Sequence, residues 1–452
     1  VGTAGANGID VSLSWTAPSA GLYQFDTIGS TRDTVLSVVN GCNLSGTDLV
    51  CDDDGAVGGS TGRESSVRVT ATAGQTFVVW VDTYGTSAGT AVLNLSYYGI
   101  VSCSDTGDTD GDRILNCRET NDGVFVSTNA TGTSPTNSDT DGDGLLDGDE
   151  VLGTTGGLNL PALGANPLRQ DIFVEVDWFE DSTGCGSHSH RMTAASVASA
   201  TTMFANAPVD NPDGSSGITL HVDYGQGGVF TGGNRINEAD PNITGGLDGE
   251  FLTWKAANFA ANRSGRFHYV VSAHEFSDIS AGGLGEAPGD DFALATACWG
   301  NNDFDRAAVF IHELGHNLGL LHGGDEDCNN KPNYNSVMNY LLSYSGVDDT
   351  CDAVGDGALD FSNGLNPALN EASLLESQGV CGAGPSVDWN ANGVRDTLAY
   401  SRNLNAYTDE VAECGGAITT LRDHDDWGNL NLAGMNDADF GGVGPRVVVC
   451  EF

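Results

Sequence analysis

The run His312-Glu313-Leu314-Gly315-His316-Asn317-Leu318-Gly319-Leu320-Leu321-His322 constrains this chain more than any other stretch. On a helix, His312 and His316 stand one turn apart on the same face, so both reach one cation. Gly319 tolerates φ > 0 and lets the chain leave the helix sharply. His322 can then return as a third ligand. Three neutral imidazoles with an open fourth position are the donor set of a catalytic Zn²⁺. Glu313, beside the first ligand, is placed to take a proton from an attacking water and return it to a leaving group. A buried helix whose histidines satisfy core polar groups would not need the glycine or the third histidine.

At 452 residues the chain is too long for one ordinary core, and two to four domains are expected. Asp and Glu number 62 against 17 Lys and Arg, a formal charge of −45. Such a surface repels nucleic acid and anionic membranes, and both are excluded as partners. No run of apolar residues is long enough to insert in a membrane. The 11 cysteines argue for an oxidising compartment. Proximity suggests Cys42–Cys51, Cys103–Cys117 and Cys328–Cys351, with Cys185–Cys298 and Cys381–Cys414 as longer staples and Cys450 left over. Sequence leaves that connectivity open. The chain begins at Val1 rather than Met and reads as a processed, secreted form.

Three regions follow in order. Residues 1–99 alternate apolar and polar positions between Gly, Ser and Thr turns, as in Val11–Trp15, Gly21–Phe25, Ser66–Val69 and Thr76–Val81. About eight short strands predict an antiparallel β-sandwich. Asp33–Ser37, Cys51–Asp54 and Ala73–Thr76 resemble the pre-peptidase C-terminal domain of secreted bacterial proteases. That resemblance implies an accessory role in attachment or secretion; a passive spacer is the plainer alternative. Asp52–Asp54 reads either as a calcium cluster or as a solvated turn.

Residues 100–167 are rich in Asp, Gly, Thr and Asn, with little to bury. Asp139, Asp141, Asp143, Leu145, Asp147 and Glu150 occupy positions 1, 3, 5, 7, 9 and 12 of an EF-hand-like calcium loop, with Gly144 at the bend. Asp108, Asp110, Asp112, Asn116 and Glu119 repeat the spacing, with Arg113 in the glycine position. The pair resembles thrombospondin type 3 repeats, which implies a connector held by two or more structural Ca²⁺. A third window, Asp388, Asn390, Asn392, Val394 and Asp396, has Ala399 at position 12 and needs another acid. Asp423, Asp425 and Asp426 are the candidates.

Residues 168–452 read as an α/β domain, with an upper part at 168–322 and a loop-rich lower part at 323–452. Asp171–Trp178, Ile218–Val222, Arg266–His274 and Asp291–Thr296 read as strands, and Met192–Ala205 as a helix. The long histidine motif, with Ser336-Val337-Met338-Asn339-Tyr340 downstream, resembles the metzincin zinc peptidases and their Met-turn. The resemblance implies one catalytic Zn²⁺, Met338 as a floor under the imidazoles, and Tyr340 as a zinc ligand at rest or a donor to the oxyanion. It also implies that the last strand, Phe292, Ala293 and Leu294 in particular, is an edge that binds extended polypeptide by β-augmentation. Gly323 after the third histidine matches neither the acidic nor the proline subfamily form. Calcium and cysteine content point to pappalysin-like members. His188 and His190 read either as metal ligands or as a polar loop.

The leading expectation is therefore a secreted zinc endopeptidase acting on polypeptide. The alternative is an extracellular surface-assembly or adhesion protein, in which sandwich and calcium repeats make cell-surface contacts and the peptidase fold serves as scaffold.

Overall fold

The computed structural model describes residues 11–18, 21–40, 50–56, 63–83, 90–99, 106–299, 302–382, 384–406, 414–433 and 446–450. The chain divides into two compact units, Val1–Thr106 and Gly107–Phe452.

In the first unit the described strands are β1 (Val11–Thr16), β2 (Gly21–Asp26), β3 (Thr34–Asn40), β4 (Val50–Asp53), β5 (Ser66–Ala71), β6 (Thr76–Thr83) and β7 (Asn94–Gly99). They form two antiparallel sheets, β1-β6-β3-β4 and β5-β2-β7. Alternation turns Tyr23, Phe25, Val67 and Val69 of one sheet and Leu36, Val38, Phe77 and Val79 of the other into a shared core. Trp15 packs edge-on against Tyr23 and Phe25 at 4.5 and 5.2 Å. Asp52 is spent on its turn, accepting from the backbone N–H of Gly55 and Ser66.

The second unit opens with two short helices, α1 (Asp147–Leu152) and α2 (Leu160–Leu163). Its strands are β8 (Asp171–Trp178), β9 (Glu180–Asp181), β10 (His188–Ser189), β11 (Thr219–Asp223), β12 (His268–Ala273), β13 (Gly283–Ala287), β14 (Asp291–Ala295), β15 (Leu369–Asn370), β16 (Thr420–Leu421) and β17 (Arg446–Cys450). The main helices are α3 (Ala194–Ala205), α4 (Glu250–Asn258) and α5 (Asp303–Asn317). Six strands form one sheet in the order β11-β8-β12-β14-β13-β17. The first four are parallel; β13 runs antiparallel to β14, and β17 antiparallel to β13.

Successive side chains on each strand serve opposite faces. Val174, Val176, Val270, Phe292 and Leu294 pack with Phe204 of α3 and Val309, Phe310 and Leu314 of α5. Tyr269, Val271, Ala293 and Ala295 pack with Phe251 and Trp254 of α4. Cover on both faces explains why the parallel strands read as continuous apolar runs. Asn302 caps α5 by accepting from the Asp305 N–H, and Asp303 and Asp305 lie in its first turn, where carboxylates oppose the helix dipole.

Three expectations need correction. Phe292, Ala293 and Leu294 are not on an edge: β14 is hydrogen-bonded to β12 on one side and β13 on the other. Beyond β14 lie β13, which precedes it in the chain and whose Gly-Leu-Gly-Glu-Ala sequence has low strand propensity, and then β17 at the edge. The segment 107–167 is no separate connector. Leu145, Leu158, Leu160 and Leu163 share a core with Phe173 and Phe267, and the Asp171 N–H donates to Asp143 at 2.7 Å. The disulfides also differ from nearest-neighbour pairing. Cys185–Cys298 forms as expected, but Cys328 joins Cys414 and Cys351 joins Cys381. Cys51 is free, Cys117 is disulfide-bonded, and Cys42 and Cys103 lie outside the described residues.

Candidate metal centre

Helix α5 is buried along almost its whole length and carries His312, Glu313 and His316. It ends where the sequence requires: Gly319, at φ +93°, donates its N–H to the His316 carbonyl and turns the chain back. The returning strand brings His322 to the other two. Ring centroids lie 4.9 Å apart for His312–His316, 4.9 Å for His316–His322 and 5.4 Å for His312–His322. His312 Nδ1 donates to the Val337 carbonyl at 2.8 Å and His316 Nδ1 to the Leu320 carbonyl at 2.7 Å. Protons held at Nδ1 leave the Nε2 lone pairs for a shared cation. Burial lowers His312 to about 4, against the opposing Val337 hydrogen bond, so the ring is neutral as a ligand must be.

A fourth donor sits among them. The Cys450 Sγ at the end of β17 is 3.3 Å from His316 Nε2 and 3.6 Å from His322 Nε2. Nitrogen and sulfur ligands at ordinary zinc distances span a tetrahedral edge of about 3.6 Å. His312, His316, His322 and Cys450 are all buried and their donor atoms cluster within 4.8 Å. The residues fit Zn²⁺. Cys450 therefore stays unpaired, as the odd count suggested, but it faces the metal cluster and not a missing cysteine.

Glu313 is fully buried beside the cluster. Burial pushes its carboxyl well above the usual range, partly offset by a hydrogen bond from the Cys450 thiol. Burial likewise pushes the thiol well up, and the Glu313 charge adds to this. A dication among these groups favours the ionised form of both. Room for the carboxylate is made by β13: a side chain at Gly283 would collide with Glu313 Oε1, and one at Gly285 would crowd His316. Met338 lies under the helix at Gly315, where a side chain would meet its sulfur. The Tyr340 ring lies tilted 4.5 Å from His322 and 5.8 Å from His312, with its hydroxyl on the Cys450 thiol. Gly283, Gly285 and the place of Cys450 among the histidines escaped the sequence reading. Two glycines in a short strand and one odd cysteine after three valines were the available signals.

The acidic loops fold as their spacing predicts. Asp139 accepts from the N–H of Gly142 and Gly144, and Asp108 from those of Gly111 and Arg113. Arg113 takes φ +83°, matching Gly144 at +93°, and its guanidinium is anchored on Asp149 and the Gly153 carbonyl. Asp110, Asp112, Glu119, Asp141 and Glu150 keep buried carboxylate oxygens without a hydrogen-bond partner. Burial, with mutual repulsion, raises Asp112 to about 6, Asp147 to about 7, and Asp141 and Glu119 to about 8. Asn116 spends its amide oxygen on the Thr109 N–H. Crowded, dry, oxygen-only donors fit Ca²⁺.

The third loop also closes, with Asp388 accepting from Asn392 and Gly393, and Asn392 from Val394. The acid that reaches this loop is Glu376, which accepts from the Asp396 N–H at 2.6 Å and from the Tyr400 hydroxyl at 2.7 Å. Asp423, Asp425 and Asp426 are engaged elsewhere, by Ser362, Gly428 and Tyr334. The amides of Asn390 and Asn392 donate to Asp396.

No protein-family model matches this chain, and no curated protein is similar to it.

Carboxyls raised by burial stabilise the fold while protonated, fully below their unfolded values near 4, and that contribution is lost as pH rises through 6 to 8. Calcium-depleted protein is thus expected to lose protection of residues 107–167 against proteolysis between about pH 5 and about pH 8. Added calcium should restore it at the upper end; equal protection with and without calcium would count against these sites. Gly283→Ala should displace the Glu313 carboxylate while leaving the three imidazoles able to bind added zinc, which metal analysis of the variant beside the unmutated chain checks.

Proposed function

We propose that this chain is a secreted zinc-dependent endopeptidase. The carrying observation is the buried Glu313 carboxylate held by β13 beside three imidazoles whose Nε2 atoms converge. Disulfides fit an oxidising exterior, and among the described residues no helix is long and apolar enough to cross a membrane.

When bound, Zn²⁺ would supply a Lewis acid that polarises the scissile carbonyl and acidifies water. His312, His316 and His322 would hold it. Glu313 accepts the proton of the attacking water and hands it to the departing amine. Its dry surroundings keep that proton from exchanging with bulk solvent. The Tyr340 hydroxyl, beside His322, donates to the oxygen on which negative charge develops. The extended substrate adds to β13 as an antiparallel strand, with Gly283–Ala287 supplying backbone hydrogen bonds.

In this structure β17 already occupies that edge, pairing Gly283 with Cys450 and Ala287 with Arg446. The Cys450 thiol lies among the imidazole nitrogens, where on this reading an attacking water would be needed. Activity on this reading requires β17 to withdraw.

Glu313→Gln should keep its zinc and lose turnover on unfolded casein by about 10²- to 10⁴-fold. Zinc retention with undiminished hydrolysis would assign the chemistry elsewhere; absence of hydrolysis in every form would favour an assembly protein. A chain ending before β17, or Cys450→Ser, should be more active than the full chain. A tethered competitor acts at an effective concentration of order millimolar, so a gain of about tenfold or more is expected for the shortened form. Initial rates on a fluorogenic peptide decide this.

A further inference from the structure

A second group of imidazoles stands apart from α5. His188 and Asp181 face each other across the β9–β10 hairpin, His190 follows that hairpin, and His274 follows the last residue of β12. Asp181 Oδ2 is 2.7 Å from His190 Nε2, 3.6 Å from His188 Nε2 and 3.6 Å from His274 Nδ1. The three rings lie edge to face with centroids 4.7, 5.4 and 5.4 Å apart. That spacing nearly repeats the 4.9, 4.9 and 5.4 Å of His312, His316 and His322.

The outward nitrogens are already committed. His188 Nδ1 donates to the Gly186 carbonyl at 2.6 Å. His190 Nδ1 is hydrogen-bonded to Thr296 Oγ1 at 2.7 Å. The His188 Nε2 lone pair therefore faces the Asp181 carboxylate, while His190 Nε2 is hydrogen-bonded to Asp181 Oδ2 at 2.7 Å, a proton that a bound cation would replace. His274 Nδ1, on a side chain 7% exposed, points there too and has no hydrogen-bond partner. Four donor atoms converge within 4.8 Å of one another and the buried His274 Nδ1 among them is unsatisfied, an arrangement that a cation would satisfy. Nitrogen and oxygen ligands of zinc span a tetrahedral edge of about 3.4 Å, close to two of the three carboxylate distances.

We propose that Asp181, His188, His190 and His274 form a second zinc centre, distinct from the one on α5. All four positions are filled by protein, so the centre is structural. It ties the β9–β10 hairpin to the end of β12, and the Cys185–Cys298 disulfide holds the same hairpin loop to the chain after β14. Arg306, two turns before His312 on α5, donates to the carbonyls of Ser189, His190 and Arg191, so the centre also braces the base of the catalytic helix. The proposal does not rest on the peptidase reading.

The test is zinc content of the full chain by mass spectrometry, with excess calcium present to fill the oxygen sites. Two zinc per chain are expected, falling to one in His190→Ala/His274→Ala and to one in His316→Ala/His322→Ala. Zinc content undiminished in His190→Ala/His274→Ala would overturn the proposal and leave a hydrogen-bonded cluster. Because that variant can misfold, metal-stripped unmutated chain is also titrated with Co²⁺ under the same calcium. Two equivalents, one of them lacking thiolate-to-cobalt absorption, support the centre. Saturation at one equivalent overturns it.

Discussion

Crowding of electron-pair donors in buried positions is the constraint on which much of the second unit depends, and a cation would relieve it. It is seen in the imidazoles around Cys450, the carboxylates of Asp141, Asp143 and Glu150, and the histidines around Asp181. His312 and His188 turn Nδ1 onto backbone carbonyls, and Asp141 and Glu150 keep carboxylate oxygens with no hydrogen-bond partner. Burying such groups costs several kcal/mol apiece in a low-dielectric setting unless charge is balanced. The formal charge of −45 is thus concentrated in part where metal can offset it.

The second dependence is steric. Glu313 can be buried next to the histidines only because β13 has no side chain at Gly283, and α5 can lie on Met338 only because Gly315 has none. The same glycines that admit the carboxylate bring the outer strand close to it. A strand lying along β13, as β17 does, is thereby brought to the histidines and Glu313 by backbone pairing alone.

Much of this was legible in the residues. The spacing of His312, His316 and His322 foretold a helix, a glycine turn and three converging rings, because each is a local property of the backbone. The loops at Asp108 and Asp139 were legible for the same reason, even with Arg113 at a positive-φ position, since the loop's own hydrogen bonds impose that conformation. The strands β8, β11, β12 and β14 announced themselves by apolar runs. Strand β13 did not, for its glycines serve Glu313 rather than strand propensity. Leu145, Leu158, Leu160 and Leu163 are spread among polar residues, and only their packing with Phe173 and Phe267 makes a core of them.

What the chain determined by itself was local: which residues turn, which alternate, and which donors sit one helical turn or one loop position apart. Tertiary structure decided the pairings over long separations, where sequence distance carries no information about spatial distance. Cys328 meets Cys414 and not Cys351, Glu376 reaches the Asp388 loop, His274 joins His188 and His190, and Cys450 reaches His316. Each follows from the order of strands in one sheet and the loops hung from its ends. That order is set by which apolar faces can be buried together, a property of the whole fold and of no single segment.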